Sequence, residues 1–119
     1  MEENAKIFRT EESLEKQTKI LSDLRNRYQN VTISDKGKVF NTELLEAIEL
    51  EYLLDMSDTT VASALCRKES RGAHSRVDYL NRDDNNWLKH SFAYKDGDSV
   101  RLDYKEVELG NYEPKERKY

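Results

Sequence analysis

Ser70, His74 and Asp78 stand four residues apart, and serine, histidine and aspartate are the side chains of a nucleophile, its base and the carboxylate that orients the base. A continuous helix would bring them onto one face. Gly72, however, lies between the first two and is the residue type that ends helices, so the spacing argues against a triad. His74 with Asp78 also has the makings of a metal site. Such a site needs three or four ligands, and nearby the sequence offers only Asp83 or Asp84. The pair Asp83–Asp84 reads as a solvated turn rather than an acid/base pair, and His90, alone on a strand pattern, reads as structural. Cys66 is the single cysteine; it cannot close an internal disulfide and reads as a small apolar residue on a helix face in a reducing compartment. There is no GxGxxG, P-loop, CxxC or HExxH motif. On residue types alone, no catalytic, cofactor-binding or metal-ligating residue is assigned.

One segment is unusually dense in charge. From Arg67 to Asp78 the chain reads Arg-Lys-Glu-Ser-Arg-Gly-Ala-His-Ser-Arg-Val-Asp. A solvated face is one reading. The other is a docking surface, because arginine forks make fixed, bidentate contacts with carboxylates and carbonyls. On that reading Arg67, Glu69, Arg71, His74, Arg76 and Asp78 form a seam with a partner, and most of these side chains stay accessible when the partner is absent.

The elements that must position this segment follow from periodicity. Thr10 is a good N-cap, with Glu11 and Glu12 at the positive end of the helix dipole. Leu14, Leu21 and Tyr28, with Gln17 and Leu24 beside them, give a bundle-type stripe with one polar interruption. Ile7 and Phe8 suit a hydrophobic staple or a short separate turn. Residues 30–40 connect, with Val31, Ile33, Val39 and Phe40 as apolar anchors. Asn41 then caps a second helix predicted over 42–70 and ended by Gly72, about 43 Å long at roughly 1.5 Å per residue. Its expected inward face is Leu45, Ile48, Tyr52 and Met56, packed antiparallel on the first helix. That length exceeds what the first helix covers, so the far end must bend, with Thr59–Thr60 the weak point, or find another surface. After a polar stretch the period changes to two: Trp87, Leu88, Phe92 and Tyr94 lead into Asp96-Gly97, a hairpin turn signal, and Val100, Leu102 and Tyr104 return. The tail from Asn111 to Tyr119 is polar and suits a surface-draped end.

The result is one domain over 1–119: a helical bundle over about 1–72, two long helices with room for a third short one; a polar connection over 73–86; and a β-hairpin and tail over 87–119. Charged residues make up 37% of the chain and hydrophobic ones 36%; typical domains carry about 25% charged. So lean a composition suits a chain that leans on a partner surface. The net charge of −4 gives no reason to expect nucleic acid. No transmembrane span is expected, because no run of about 18 apolar residues occurs, and no signal peptide, because the start Met1-Glu2-Glu3-Asn4 is acidic and lacks an apolar stretch.

The segment from Arg67 to Arg76, followed by Asp78-Tyr79, Arg82-Asp83-Asp84 and Asn86-Trp87-Leu88-Lys89-His90, is similar to the signature near the C-terminus of succinate dehydrogenase and fumarate reductase flavoproteins. Phe8-Arg9-Thr10, Asn41 to Leu53 with Glu49-Leu50-Glu51, and Glu116-Arg117-Lys118-Tyr119 also resemble that family. L-aspartate oxidase and adenylylsulfate reductase carry relatives of the Glu69-Ser70-Arg71-Gly72 block. Leu80 departs from the pattern, which has proline there, and puts the local turn in doubt. The resemblance implies a mainly α fold, a spectrin-like three-helix bundle with a C-terminal β-hairpin and extended tail. It implies a parent subunit that carries FAD, works with an iron–sulfur subunit and interconverts succinate and fumarate, in the cytoplasm or at the cytoplasmic face of a membrane complex. The family's flavin-linking and substrate-binding residues belong upstream and map onto no residue here. The expected role is therefore to pack on the flavin-binding domain, without catalysis by these residues alone; a freestanding helical interaction module is the alternative.

Overall fold

The structure, a computed structural model, describes residues 1–115. Its elements run β1 (Phe8–Arg9), α1 (Glu11–Tyr28), α2 (Thr42–Cys66), β2 (Ser75–Arg76), α3 (Asp84–Trp87), β3 (Lys89–Asp96) and β4 (Ser99–Glu106). The α1 start is a capping box: the Thr10 hydroxyl accepts from the Ser13 N–H, and Ser13 Oγ accepts from the Thr10 N–H. At α2, Asn41 Oδ1 accepts from the Leu44 N–H at 2.8 Å.

The two long helices pack antiparallel. Late in α1, the Tyr28 hydroxyl donates to the Ala47 carbonyl early in α2; one turn back, Arg25 reaches Asp55 and Asp58. Leu14 and Leu21 from α1 meet Leu54, Val61 and Ala64 from α2, with Ala5 closing one end and Leu24, Tyr28 and Leu65 packed around them. Gln17, the polar interruption of the stripe, is buried with its Oε1 accepting from Asn4 Nδ2 at 3.1 Å, so it carries no unpaired-polar penalty.

The inward face of α2 differs from the expected one. Leu45, Ile48, Tyr52 and Met56 are between 41% and 66% exposed. The covered half of α2 is its C-terminal half, whereas the sequence suggested that this end would lack a partner. Its N-terminal half shows Leu44, Leu45, Ile48, Tyr52, Leu53 and Met56 to solvent. Of the anchors expected in the connection, Val31, Val39 and Phe40 are exposed too, Phe40 at 95% and with φ of 51°, while Ile33 is half-buried. Phe8 and Ile7 are likewise exposed; instead of stapling α1, Phe8–Arg9 pairs in parallel with Ser75–Arg76.

Helix α2 runs unbroken through Thr59–Thr60, whose hydroxyls donate to carbonyls one turn back. It ends at Cys66, with Arg67 in extended backbone, rather than at residue 70. Gly72 has a different task. With φ of 58° it sits first in a two-residue turn across which Arg71 and His74 exchange both backbone hydrogen bonds, at 2.9 and 3.0 Å. The hairpin is where the period-two pattern put it: β3 and β4 pair antiparallel from Lys89↔Glu106 to Asp96↔Ser99. Lys95 ties it to α2 by a 2.7 Å ion pair with Asp55. Among the described residues, α3 is a single turn of four residues, so the third helix of a spectrin-like bundle is not found there. The fold is mainly α with a C-terminal β-hairpin. Of the tail, Asn111 to Lys115 are exposed; Arg82 donates to the Lys115 carbonyl at 2.8 Å. The last four residues of the tail, Glu116 to Tyr119, lie outside the described residues.

Candidate functional site

The charged segment folds around Glu69. Its carboxylate is fully buried and accepts from Arg67 Nη1 at 2.5 Å, Arg71 Nε and Nη2 at 2.8 and 3.0 Å, and the Asp83 N–H at 2.9 Å. Burial pushes this carboxyl up; the hydrogen bonds from Arg71, Asp83 and Arg67 outweigh it and hold Glu69 below the usual range. Arg71 reaches on to Asp84 at 2.6 Å, and Asp84 takes Arg82 at 2.7 Å. Arg67 also donates to the carbonyls of Trp87 and Lys89 and to Ser91 Oγ. That is why α2 stops where it does: carrying the helix past Cys66 would swing Arg67 and Glu69 away from these partners.

A second pair joins the two long helices. Arg76, fully buried, holds Asp78 in a bidentate fork at 2.7 Å on both sides and donates to the Ala64 and Leu65 carbonyls at the C-terminal end of α2. Asp78 Oδ2 accepts from the Glu11 N–H, the first of α1, at 2.8 Å. A cation thus sits at the negative end of one helix dipole and a carboxylate at the positive end of the next. Arg76 and the Glu11 N–H hold the Asp78 carboxyl well below the carboxylate range.

His74 is tied at both ring nitrogens, with Arg9 Nη1 at 2.9 Å from Nδ1 and the Arg67 carbonyl at 3.0 Å from Nε2. A guanidinium only donates and a carbonyl only accepts, so Nδ1 is the acceptor and Nε2 carries the proton of a neutral ring. Burial first, then the cations of Arg9, Arg76 and Arg67, push its pKa down, against the pull of the Arg67 carbonyl.

These contacts dissolve the triad spacing. Ser70 Oγ is bound to the Arg76 N–H and to the carbonyls of Arg76 and Tyr79, and it shares no hydrogen bond with His74, nor His74 with Asp78. No group of three or more metal-ligating side chains exists among the described residues. Asp83 caps α3 through the Asn85 and Asn86 N–H groups, and His90 is exposed against the edge of Phe92. Cys66, the last residue of α2, is exposed.

The expectation that most of the six seam side chains stay accessible also fails, although Asp78 is exposed. Glu69 and Arg76 are fully buried; Arg67, Arg71 and His74 are half-buried and hydrogen-bonded within the chain. The physical reason is local pairing: two carboxylates, Glu69 and Asp78, sit within the segment itself and take the arginines first. Arg9 is the functional residue that spacing missed. Its neighbour Thr10 announced a helix start, but nothing local announced that Arg9 would cross to His74.

Between this brace, α2 and β3 lies an open cavity of about 710 Å³. Trp87, Leu88, Ala93 and Val107 form its apolar parts, and cations its charged rim.

A pair of antiparallel helices and a long hairpin, locked at one end by a buried arginine–carboxylate brace, define a helical module. This chain belongs to the family described as the fumarate reductase flavoprotein C-terminal domain, whose profile matches residues 1–119. It is 44% identical to the mitochondrial succinate dehydrogenase [ubiquinone] flavoprotein subunit of Oryza sativa, covering 100% of this chain and 20% of that protein. It is 43% identical to the fumarate reductase flavoprotein subunit of Escherichia coli, with the same shares. Among solved structures, a variant of E. coli quinol fumarate reductase superposes with a TM-score of 0.94 at 43% identity, over 98% of this chain and 20% of that one. The chain thus spans about a fifth of the length of these relatives.

Proposed function

We propose that this chain packs on the flavin-binding domain of a succinate dehydrogenase or fumarate reductase flavoprotein subunit and supplies no catalytic group itself. In that reading the larger part of the subunit carries FAD and interconverts succinate and fumarate. It passes electrons to an iron–sulfur subunit, in the cytoplasm or at the cytoplasmic face of a membrane complex. The names of the relatives support the subunit and its two activities. Among the described residues no helix is long and apolar enough to cross a membrane.

The observation that carries the packing role is the bare N-terminal half of α2. Leu44, Leu45, Ile48, Tyr52, Leu53 and Met56 are exposed on one stretch of helix, and a contiguous apolar surface of this kind marks an interface. The flavin-binding domain is its proposed occupant, because the matched relatives carry this sequence as a fifth of one longer chain. The brace residues Arg67, Glu69, Arg71, His74, Arg76 and Asp78 then serve docking by holding the domain's shape.

A chimera tests this: the E. coli flavoprotein subunit with its own C-terminal fifth replaced by these 119 residues. Flavin retention and fumarate reduction are expected in the chimera and not in the isolated chain. Leu45→Asp with Tyr52→Asp should strip both from the chimera. Turnover by the isolated chain, or full activity of the doubly substituted chimera, would overturn the proposal.

A further inference from the structure

The cavity between α2, β3 and the Arg71–His74 turn has a one-sided charge. Among the described residues, the charged and titratable ones that line it are Arg9, Arg67, Arg71, Lys89, His74 and His90, with no aspartate or glutamate, in a chain whose net charge is −4. The four cations are not equivalent. Arg67 and Arg71 spend their charge on Glu69, and Arg71 also on Asp84. Arg9 and Lys89 form no ion pair among the described residues. Arg9 is held by the Ala5 and Lys6 carbonyls and by His74. Burial lowers its pKa with no carboxylate to offset it. The Lys89 ammonium lies 4.7 Å from the Trp87 ring centre and 4.5 Å from that of Tyr104.

The two residues that carry these cations are tied together, Lys89 through its main chain. The Arg9 guanidinium bonds His74, His74 bonds the Arg67 carbonyl, and the Arg67 guanidinium bonds the Lys89 carbonyl at 2.7 Å. A half-buried guanidinium without a counter-charge is costly to the fold alone and becomes favourable when an anion arrives. The planar fork of Arg9 and the point charge of Lys89 suit a carboxylate, and the apolar wall of Trp87, Leu88 and Val107 suits the methylenes behind it.

We infer that this cavity is a receptor for an acidic side chain, an aspartate or glutamate from polypeptide beyond these 119 residues. The inference rests on the reading that the chain is one part of a larger subunit. A protein source is favoured over a free small anion because the cavity is open and has an apolar wall, as an interface pocket has.

Trp87 is the only tryptophan and lies on the cavity wall, so its fluorescence reads occupancy in the 119-residue chain itself. The probes are acetyl-Gly-Glu-Gly-amide, sodium propionate and sodium chloride at matched ionic strength. A saturable change with the peptide is expected, about tenfold tighter than with propionate, and no saturable change with chloride. Arg9→Gln and Lys89→Gln should each weaken the peptide response by about tenfold with the circular dichroism spectrum retained. Two variants guard against one failing to fold. Equal responses to peptide and chloride, no response, or unchanged affinity in both variants would overturn the inference. Equal affinity for peptide and propionate would overturn the protein source in favour of a free small carboxylate. None of these outcomes depends on the flavin chimera, so the two readings fail separately.

Discussion

Arg76 donates through Nη1 to the main-chain oxygen of Ala64, 3.1 Å away and twelve residues back. The last turn of α2 contains no basic residue of its own, so the cation its dipole calls for arrives from β2. The same guanidinium grips Asp78, which accepts from the first N–H of α1. One ion pair therefore sets the end of α2 against the start of α1. Arg76→Met keeps the volume but removes the charge, leaving helix carbonyls and Asp78 without their donor. The expected cost is about 3 kcal/mol, at the low end for breaking a buried pair because Asp78 keeps some contact with water. Arg76→Lys should recover little of it, since one ammonium cannot supply the fork. Urea denaturation of the three proteins measures both effects; a lysine variant of wild-type stability would contradict the bridge.

Leu21 and Leu45 separate the observed α2 face from the one that periodicity suggested. Leu21 is buried among Leu54, Val61 and Ala64, while Leu45 is exposed. Leu21→Ala should cost about 2–5 kcal/mol. Leu45→Ala should stay within about 0.5 kcal/mol, as for surface positions. Chemical denaturation of the isolated chain checks the contrast, and equal costs would mean that the N-terminal half of α2 is covered after all.

His74 makes the fold sensitive to mild acid. Its folded pKa is depressed below the ordinary 6.5 by burial and by neighbouring cations. Between the two values the unfolded chain binds the extra proton, so stability rises with pH in that window. The contribution is present above about 6.5 and is lost as pH falls toward the folded value. Glu69 and Asp78, also depressed, add a second loss that starts only as pH drops below the ordinary carboxylate range. A thermal midpoint followed downward from pH 8 should therefore fall in two steps. His74→Gln should flatten the first step and leave the second. A single step near pH 4, identical in both proteins, would show that His74 is not held neutral.

The parts legible in the sequence were those fixed by neighbours along the chain. The Thr10 cap, the Asn41 cap and the hairpin turn at Asp96–Gly97 need only residues within a few positions, and each stands where the pattern put it. The end of α2 and the fate of the arginines were not legible in this way. Whether Gly72 ends a helix or opens a hairpin turn depends on Arg67 reaching Trp87 and Lys89, twenty residues and more away. The pairing of Phe8–Arg9 with Ser75–Arg76 is longer still in sequence and has no local signal. The α2 face was misjudged for a related reason: its apolar residues spread around the helix, so periodicity alone could not say which of them meet α1 and which await another surface.

Glu69 and Arg71 offer the most direct test of whether the brace belongs to this domain. Glu69 is the single anion at the centre of two guanidiniums and the Asp83 N–H. Removing it by Glu69→Ala leaves the guanidiniums of Arg67 and Arg71 facing each other without the buried anion between them, which should cost about 3–5 kcal/mol. Removing Arg71 is milder. Glu69 keeps Arg67 and the Asp83 N–H, Asp84 keeps Arg82, and Arg71 is itself partly in solvent. Arg71→Ala should therefore cost about 1–3 kcal/mol, the range for a lost charge-assisted hydrogen bond. Had the segment been a seam waiting for a partner, both substitutions would lie near zero in the isolated chain, as exposed pairs do at about 0–1 kcal/mol. Denaturation of the 119-residue chain distinguishes the cases without any flavin domain present: a Glu69→Ala cost well above that of Arg71→Ala supports an internal brace, and two costs near zero would return the arginines to the docking surface.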